Sequence, residues 1–595
     1  MLDSTHNIFV KKYINYKLKN FVFQSKFNKF YYRNKIYMHH KHMPDYACFG
    51  IKIISCIFVL TYFILKSFGV NDCFSRLFRF SATSSFFLLK NFTRFYDSIF
   101  ELTKSGSNVF SKRVTHDNLS YNNHNKFDFL IIGSGPGGSI VAQKLLQSGF
   151  NTCIVESGRS SFEPCSKPFS YTEMLTKYKH ASASSTIGNA PITFVEGCTL
   201  GGGSEINSGL YHRVPENIIK HWVHKYKVTG LSKGELLPFY KEIEEQLKIG
   251  FAPKNMIPKS AQKLVDGAKK LNWSCEEVPR WQYYDPSNIH KVSKMTMKET
   301  YLKKYVEDDG LILEGTKVIS VKKHKRKIWR VGLQNGKLKS FVNTDNVIFS
   351  GGTISTASIL KKSRLSNNAG SKFEMHPTLK VTALFDEEVN FSEMGVPAHQ
   401  VKEFSPEITF GCSISSKPYL KISLLDYPNE INLVEDKWEH MAIYYVSIIP
   451  QGSGSILNPP VFKDPVLRYN LTDRDLRNLG YGLKQLLKLL LAAGAKKLYP
   501  ACQSAKVIKT ENDISKLTEK LDASKLNLTS VHLFSSCPIG ENKDICVADS
   551  YGKIFGKEGL YISDGSMLPS SPGVNPQGAI MSIALRNVSK IIKSK

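Results

Sequence analysis

Acidic residues are scarce in this chain: 51 Asp+Glu stand against 80 Lys+Arg, a formal net charge of +29. The shortage is uneven, since residues 1–126 hold 19 Lys+Arg and 6 Asp+Glu, and Asp3 is the one acid before Asp45. Such an excess can serve nucleic acid or an anionic membrane surface. No basic stripe interleaved with aromatics and no nucleic-acid motif accompanies it, so a nucleic-acid partner is not expected. The basic run Lys322 to Lys327 precedes a strand pattern turned at Asn335-Gly336 and reads as the solvated edge of a hairpin. CxxC pairs are absent, and the cysteines number eleven. That argues against a disulfide framework and a zinc site, and for reduced thiols in a cytosolic or organellar setting. A long apolar run is missing too: Ile53 to Leu65 has 13 residues, short of the roughly 20 that span a bilayer.

With 595 residues the chain exceeds what one core serves, so two or more domains are expected. Residues 1–126 form a basic extension. Were Lys52 and Lys66 to snorkel, Tyr46 to Val70 could reach across a membrane; a targeting segment and a buried helix are the other readings. Residues 74–100 mix Phe and Leu with Arg and Lys as an interfacial helix does, and 105–126 reads as a polar linker. Membrane or organellar association is expected to run through this extension.

The most informative stretch is Phe127 to Gly158. An apolar run ends in Gly133, Gly135 and Gly138 at GxGxxG spacing, a helical pattern follows, and a second apolar run ends at Glu156, 23 residues past Gly133. The glycines permit a tight turn, close approach of the main chain to a pyrophosphate, and close helix–strand packing. The helix N-terminus offers free N–H groups to phosphate, and Glu156 can accept from a ribose. A second glycine cluster, Gly201-Gly202-Gly203-Ser204 followed by Asn207, can form an anion-accepting concavity. Further along, Tyr419 to Leu425 and Ala442 to Ile449 look like strands ahead of a helix over Asp475 to Ala493, which suggests a separate antiparallel sheet with helices packed on it. In the tail, His532 lies in Val531 to Gly540, Leu560 to Asp564 is a strand ending in an acid, and Asn575-Pro576 opens a helix.

Taken together, GSGPGGS with Glu156, GCTLGGGSEIN, and the tail motif ending LYISDGSMLPSSPGVNP resemble the glucose–methanol–choline family of flavin oxidoreductases over most of residues 127–595. Asn575 falls eleven residues after Asp564, the family's interval between its flavin-contacting acid and its second active-site residue. The tail is most similar to cholesterol oxidases and long-chain alcohol oxidases. The resemblance implies an α/β plus α+β chain: a Rossmann-like FAD-binding domain (127–230, 306–372 and 528–595) and a substrate domain on an antiparallel sheet (231–305 and 373–527). It implies oxidation of an alcohol, sterol-like or long-chain, to a carbonyl compound, with oxygen or another acceptor downstream. His532 and Asn575 would be catalytic. Gly133, Gly135, Gly138, Glu156, Gly201, Gly202, Ser204, Asn207, Val318 and Asp564 would contact FAD. Members that attach FAD covalently use a histidine where this chain has Ile206, so a non-covalent flavin is expected. Ser535-Ser536 stands where many members of that family have G-T or G-G before the tail cysteine. A non-catalytic flavin scaffold and an amine oxidase are the competing readings.

Overall fold

The structure, a computed structural model, describes residues 2–18, 26–67, 70, 72–83, 87–104, 126–160, 168–253, 256–285, 288–392, 394–503 and 506–595. The linker expected at 105–126 lies outside the described residues, apart from Lys126.

The apolar run after Lys126 forms the strand Lys126–Ile132, and the glycine turn feeds the helix Pro136–Gln147. The strand Thr152–Val155 returns parallel beside it, Ile131 opposite Ile154. Across this seven-stranded sheet the order is Leu311–Leu313, Thr152–Val155, Lys126–Ile132, Leu338–Phe349, Ile328–Asn335, Lys317–Lys325, with Leu560–Ile562 also parallel to Leu338–Phe349. Near-continuous apolar strands such as Leu130 to Ile132 suit a parallel sheet covered on both faces. The hairpin expected at Asn335-Gly336 is present, and Lys322 to Lys325 lies on its exposed edge strand.

A second, nine-stranded sheet is mostly antiparallel, with Leu528–Ser530, Thr378–Leu384, Met441–Ile448 and Ile408–Cys412 side by side at its centre. Period-two alternation gives it two characters. Leu379, Val381, Tyr444 and Val446 are buried in one core with the helix Asp473–Ala492, whereas Thr378, Lys380, Tyr445 and Ser447 face a cavity. The strands Ser184–Ser185, Ile192–Phe194 and Leu528–Ser530, which fall within spans given by sequence to the first unit, join this second sheet. One expectation is corrected: Tyr419 to Leu425 is no strand, because Lys417–Ser423 is a helix. Pro418 in its first turn favours that start, and Leu420 and Leu424, four apart, bury together against Val434 and Met441.

The extension is helical: α1 (Leu2–Leu18), α2 (Lys26–His42), α3 (Asp45–Ser67), α4 (Cys73–Thr83) and α5 (Phe87–Lys104). They share an aromatic core of their own, including Phe9, Tyr13, Phe58, Phe78, Phe92 and Tyr96. Residues 74–100 are therefore not a single interfacial helix; α4 and α5 turn Phe74, Phe78, Phe92 and Tyr96 into this core. By length and composition α3 could cross a membrane. Phe49, Ile53, Ile57, Leu60 and Ile64 form an exposed stripe along it at helical spacing. The bundle is tied to the rest by an Arg94–Asp426 ion pair of 2.7 Å and by the Tyr171 hydroxyl donating to the Lys35 carbonyl at 2.9 Å.

Candidate active site

A cavity of about 2600 Å³ opens between the two sheets and runs toward the bundle, where Tyr46, Ile54 and Phe95 reach it. Of the residues singled out in the sequence, Gly133, Gly135, Glu156, Gly202, Asn207, Val318, His532, Asp564 and Asn575 line it. Gly138, Gly201 and Ser204 stand behind the lining. A side chain at Gly138 would strike the Gly133 carbonyl, so its role is packing. The buried Ser204 hydroxyl donates to the Gly201 carbonyl at 2.8 Å and accepts from Met297 N at 3.0 Å, which braces the second glycine loop from within.

The glycine-rich end is built to hold a flat, phosphorylated ligand. Gly133 takes φ +101°, a conformation glycine reaches without penalty, and so turns the chain at the end of its strand. A Cβ on Gly135 would meet no protein atom and would stand in the cavity. Among the described residues no side chain caps the helix Pro136–Gln147, whose N-terminal amides face the cavity. The buried Ser350 hydroxyl, also in the lining, has no partner among the described residues. Glu156 closes this turn on itself, accepting from Ser134 N at 2.9 Å, Ser134 Oγ at 2.8 Å, Gly158 N at 2.7 Å and Ser157 Oγ at 3.3 Å, so that a ribose hydroxyl would take the place of one of the two serine hydroxyls. Asp564 accepts from Gly352 N at 2.9 Å and from Thr356 Oγ1 at 2.5 Å, and burial raises its carboxyl above the ordinary range. These groups fit FAD.

The opposite end holds a directional hydrogen-bond chain. Lys402 Nζ, which can only donate, gives to Gln400 Oε1 at 2.7 Å. Gln400 therefore presents its NH2 to Asn575 Oδ1, 3.4 Å away, and to the Tyr445 hydroxyl at 3.0 Å. Asn575 in turn offers its NH2 to His532 Nε2 at 3.2 Å, which leaves the proton of that imidazole on Nδ1, facing His376 Nδ1 at 3.0 Å. His376 Nε2 then gives to Ser571 Oγ at 2.7 Å. One ammonium thus sets the sense of every bond along the chain. Burial lowers His532 to about 4 and holds His376 well below its ordinary value, so both rings are neutral at pH 7. Burial also brings Lys402 down to about 8, and His212, whose Nε2 lies 3.2 Å from that ammonium, to about 3.

Asn575 does not cap the final helix, which begins at Gln577; its carboxamide is instead held in the cavity wall between Gln400 and His532. Asn207 donates to Gln577 Oε1 at 2.6 Å and joins the second glycine loop to that helix start. His376, Gln400, Lys402 and Ser571 escaped sequence reasoning. The available signal was slight: His376 precedes Pro377 at a strand edge, and Gln400 and Lys402 are two apart beside the short strand His399–Val401.

Residues 127–378 and 454–584 match the N- and C-terminal regions that define the GMC oxidoreductases. An uncharacterized GMC-type oxidoreductase of Sinorhizobium fredii is 31% identical over 473 residues, 77% of this chain and 93% of the relative. This chain belongs to the GMC oxidoreductase family. A long-chain-alcohol oxidase of Arabidopsis thaliana is 24% identical over 517 residues, covering 79% of this chain and 69% of that one. Among solved structures, pyridoxine 4-oxidase from Mesorbium loti superposes with a TM-score of 0.60 at 15% identity, covering 78% of this chain and 99% of its own. An FAD-dependent oxidoreductase from Chaetomium thermophilum gives 0.58 at 13%, covering 79% and 99%. These two show the fold: a Rossmann-like FAD-binding part joined to a substrate part. Membership makes the protein an oxidoreductase and implies a bound flavin. Neither family region reaches residues 1–126.

Proposed function

We propose that this GMC oxidoreductase binds FAD non-covalently and oxidises the CH–OH group of a lipid-like alcohol to a carbonyl. The observation that carries this reading is the polarity of the chain through Asn575, which makes Nε2 of a neutral His532, in the cavity lining, the ring's acceptor, held at 3.2 Å by the Asn575 NH2 that a substrate hydroxyl would displace. FAD, when bound, supplies the hydride acceptor. His532 Nε2 takes the proton of the substrate hydroxyl, and its Nδ1–H, held by His376, keeps the ring in the tautomer that can do so. Asn575 Nδ2 donates to the same oxygen as it gains charge, and the uncapped N-terminus at Gln577 adds a positive dipole nearby. Gly133, Gly135, Gly202, Glu156, Asn207, Val318 and Asp564 hold the cofactor. Ile206, buried against Met174 and Tyr178, offers no atom for a covalent link.

The extension supports a membrane-facing role. The exposed α3 stripe can enter the headgroup region, while the basic surplus of residues 1–126 meets anionic lipid. The test of the chemistry is anaerobic bleaching of the yellow holoprotein with fatty alcohols, sterols, choline, sugars and amines, followed by admission of air. Bleaching by alcohols and not amines is expected. A protein that holds no FAD, or that only amines reduce, would refute the reading.

A further inference from the structure

Among the described residues, the sheet wall of the cavity from His376 to Ile449 contributes two lysines and no carboxylate. Lys402 is committed to Gln400 and His212. Lys380 is not. Strand alternation turns it inward beside its register partner Tyr445, whose hydroxyl meets Gln400 and through it the Asn575–His532 pair. Among the described residues its ammonium has no hydrogen bond and no ion pair, and the Tyr419 ring lies 6.0 Å from Nζ. Burial brings it down to about 8 with no opposing charge to offset the cost. The cavity's acids are already engaged: Glu156 and Asp564 as described, Glu196 by Lys179, Glu314 by Ser160 and Asp464 by His180. Lys380 is half-buried, and a partly desolvated cation without a partner is costly to keep. Here it stands in a substrate wall, where a ligand can supply the missing charge.

Resting on the alcohol-oxidation reading, we infer that Lys380 is an anion-binding subsite, and that the alcohol oxidised at His532 carries a carboxylate or phosphate at its far end. Four residues separate Lys380 from His376, which touches His532, or roughly 13 Å of extended chain. That main-chain separation suits an extended amphiphile with the hydroxyl at one end and the anion at the other. The anion pairs with Lys380 Nζ, and the intervening chain lies along the sheet floor.

The test uses full-length holoprotein and three substrates of one chain length: a primary alcohol, the corresponding ω-hydroxy carboxylic acid, and the corresponding ω-hydroxy alkyl phosphate. One anionic substrate should exceed the neutral alcohol in kcat/KM by about 10- to 100-fold, the worth of a charge-assisted hydrogen bond. Which anion gains more assigns carboxylate or phosphate. Lys380→Met should erase that advantage and leave the neutral alcohol unchanged, with Lys380→Arg restoring part of it. Calorimetric binding of a fatty acid without the hydroxyl should weaken in Lys380→Met, and this holds even if no alcohol reduces the flavin, so the subsite and the oxidase reading fail separately. Because the variant removes an unpaired charge, its melting temperature should not fall. Equal losses for neutral and anionic substrates, unchanged fatty-acid binding, or a large drop in melting temperature would overturn the subsite.

Discussion

The two ends of the cavity are built by different means. At the glycine-rich end the working surface is main chain: turn amides, an uncapped helix start, and acids such as Glu156 and Asp564 that hold their own loops in place. At the sheet end the working surface is side chain, with Lys402, Gln400, Asn575, His532, His376 and Ser571 drawn from four separate stretches of sequence. A surface of amides tolerates one kind of occupant, whereas a chain of side chains can be changed one link at a time. Substitutions at the first end should therefore act on whether FAD is held, and those at the second on what happens once it is.

The largest expected separation comes from His532→Ala. Flavin reduction by alcohol should slow by about 10²- to 10⁴-fold, the usual contribution of a positioned acid/base, while FAD content stays unchanged. Stopped-flow reduction beside a flavin-release assay reads both quantities, and loss of FAD from this variant would break the division between the two ends. The complementary change is Gly135→Val. Its φ of −66° suits any residue and a Cβ there meets no protein atom, so the apo fold should be untouched. Weaker FAD binding, about 10- to 100-fold for overpacking into an occupied site, would then report the cofactor alone.

This asymmetry also decides what could be read from the sequence. Gly133, Gly135 and Glu156 lie within one strand–turn–helix–strand unit, where spacing fixes geometry, and the cavity lining contains all three. The sheet end depends on register between distant strands. Thr409, Ser447, Thr378 and Thr529 form one row of hydroxyls across its floor, from four strands whose pairing no local pattern announces. His376 needed that register to meet His532, 156 residues away. Tyr419 to Leu425 reads as a strand because β-branched and aromatic residues suggest one, while the deciding contact, Leu420 with Leu424 on Met441, is tertiary. Of the bundle, the basic surplus and the apolar segment Tyr46 to Val70, which falls on α3, were legible; the way its helices meet was not, since aromatic packing between distant segments organises them.

Lys402→Met sharpens the claim that one ammonium orients the sheet end. Without it Gln400 can flip, Asn575 can follow, and Nε2 of His532 loses its fixed acceptor role; kcat/KM should fall by about tenfold, the worth of one hydrogen bond to a charged group. The pH profile separates orientation from packing. In the parent protein activity should decline on the acid side as His532 takes a proton near 4, and on the alkaline side as Lys402 loses one near 8. The variant should lose the alkaline limb and keep the acid one. Stability follows its own course: an unfolded histidine takes its proton near about 6.5, and the folded His532 only near 4. Stability that is complete above the higher value is therefore lost as pH falls through that window.

The smallest effect tests whether the loop beside His532 is strained. Ser535 has φ +66°, where a side chain costs about 1–2 kcal/mol. Its buried hydroxyl finds no partner among the described residues, and the residue is absent from the cavity lining. Glycine removes both penalties but gives back part of the gain through its freer unfolded chain, so Ser535→Gly should stabilise by about 1 kcal/mol. Because Ser535 N still donates to the Gly565 carbonyl at 3.1 Å, the loop path and the position of His532 are retained. Denaturant midpoints with and without FAD measure the effect. A gain that appears only in the holoprotein would mean that the serine side chain obstructs the cofactor, which would place Ser535 with the glycine-rich end of the cavity rather than with His532, its neighbour in sequence.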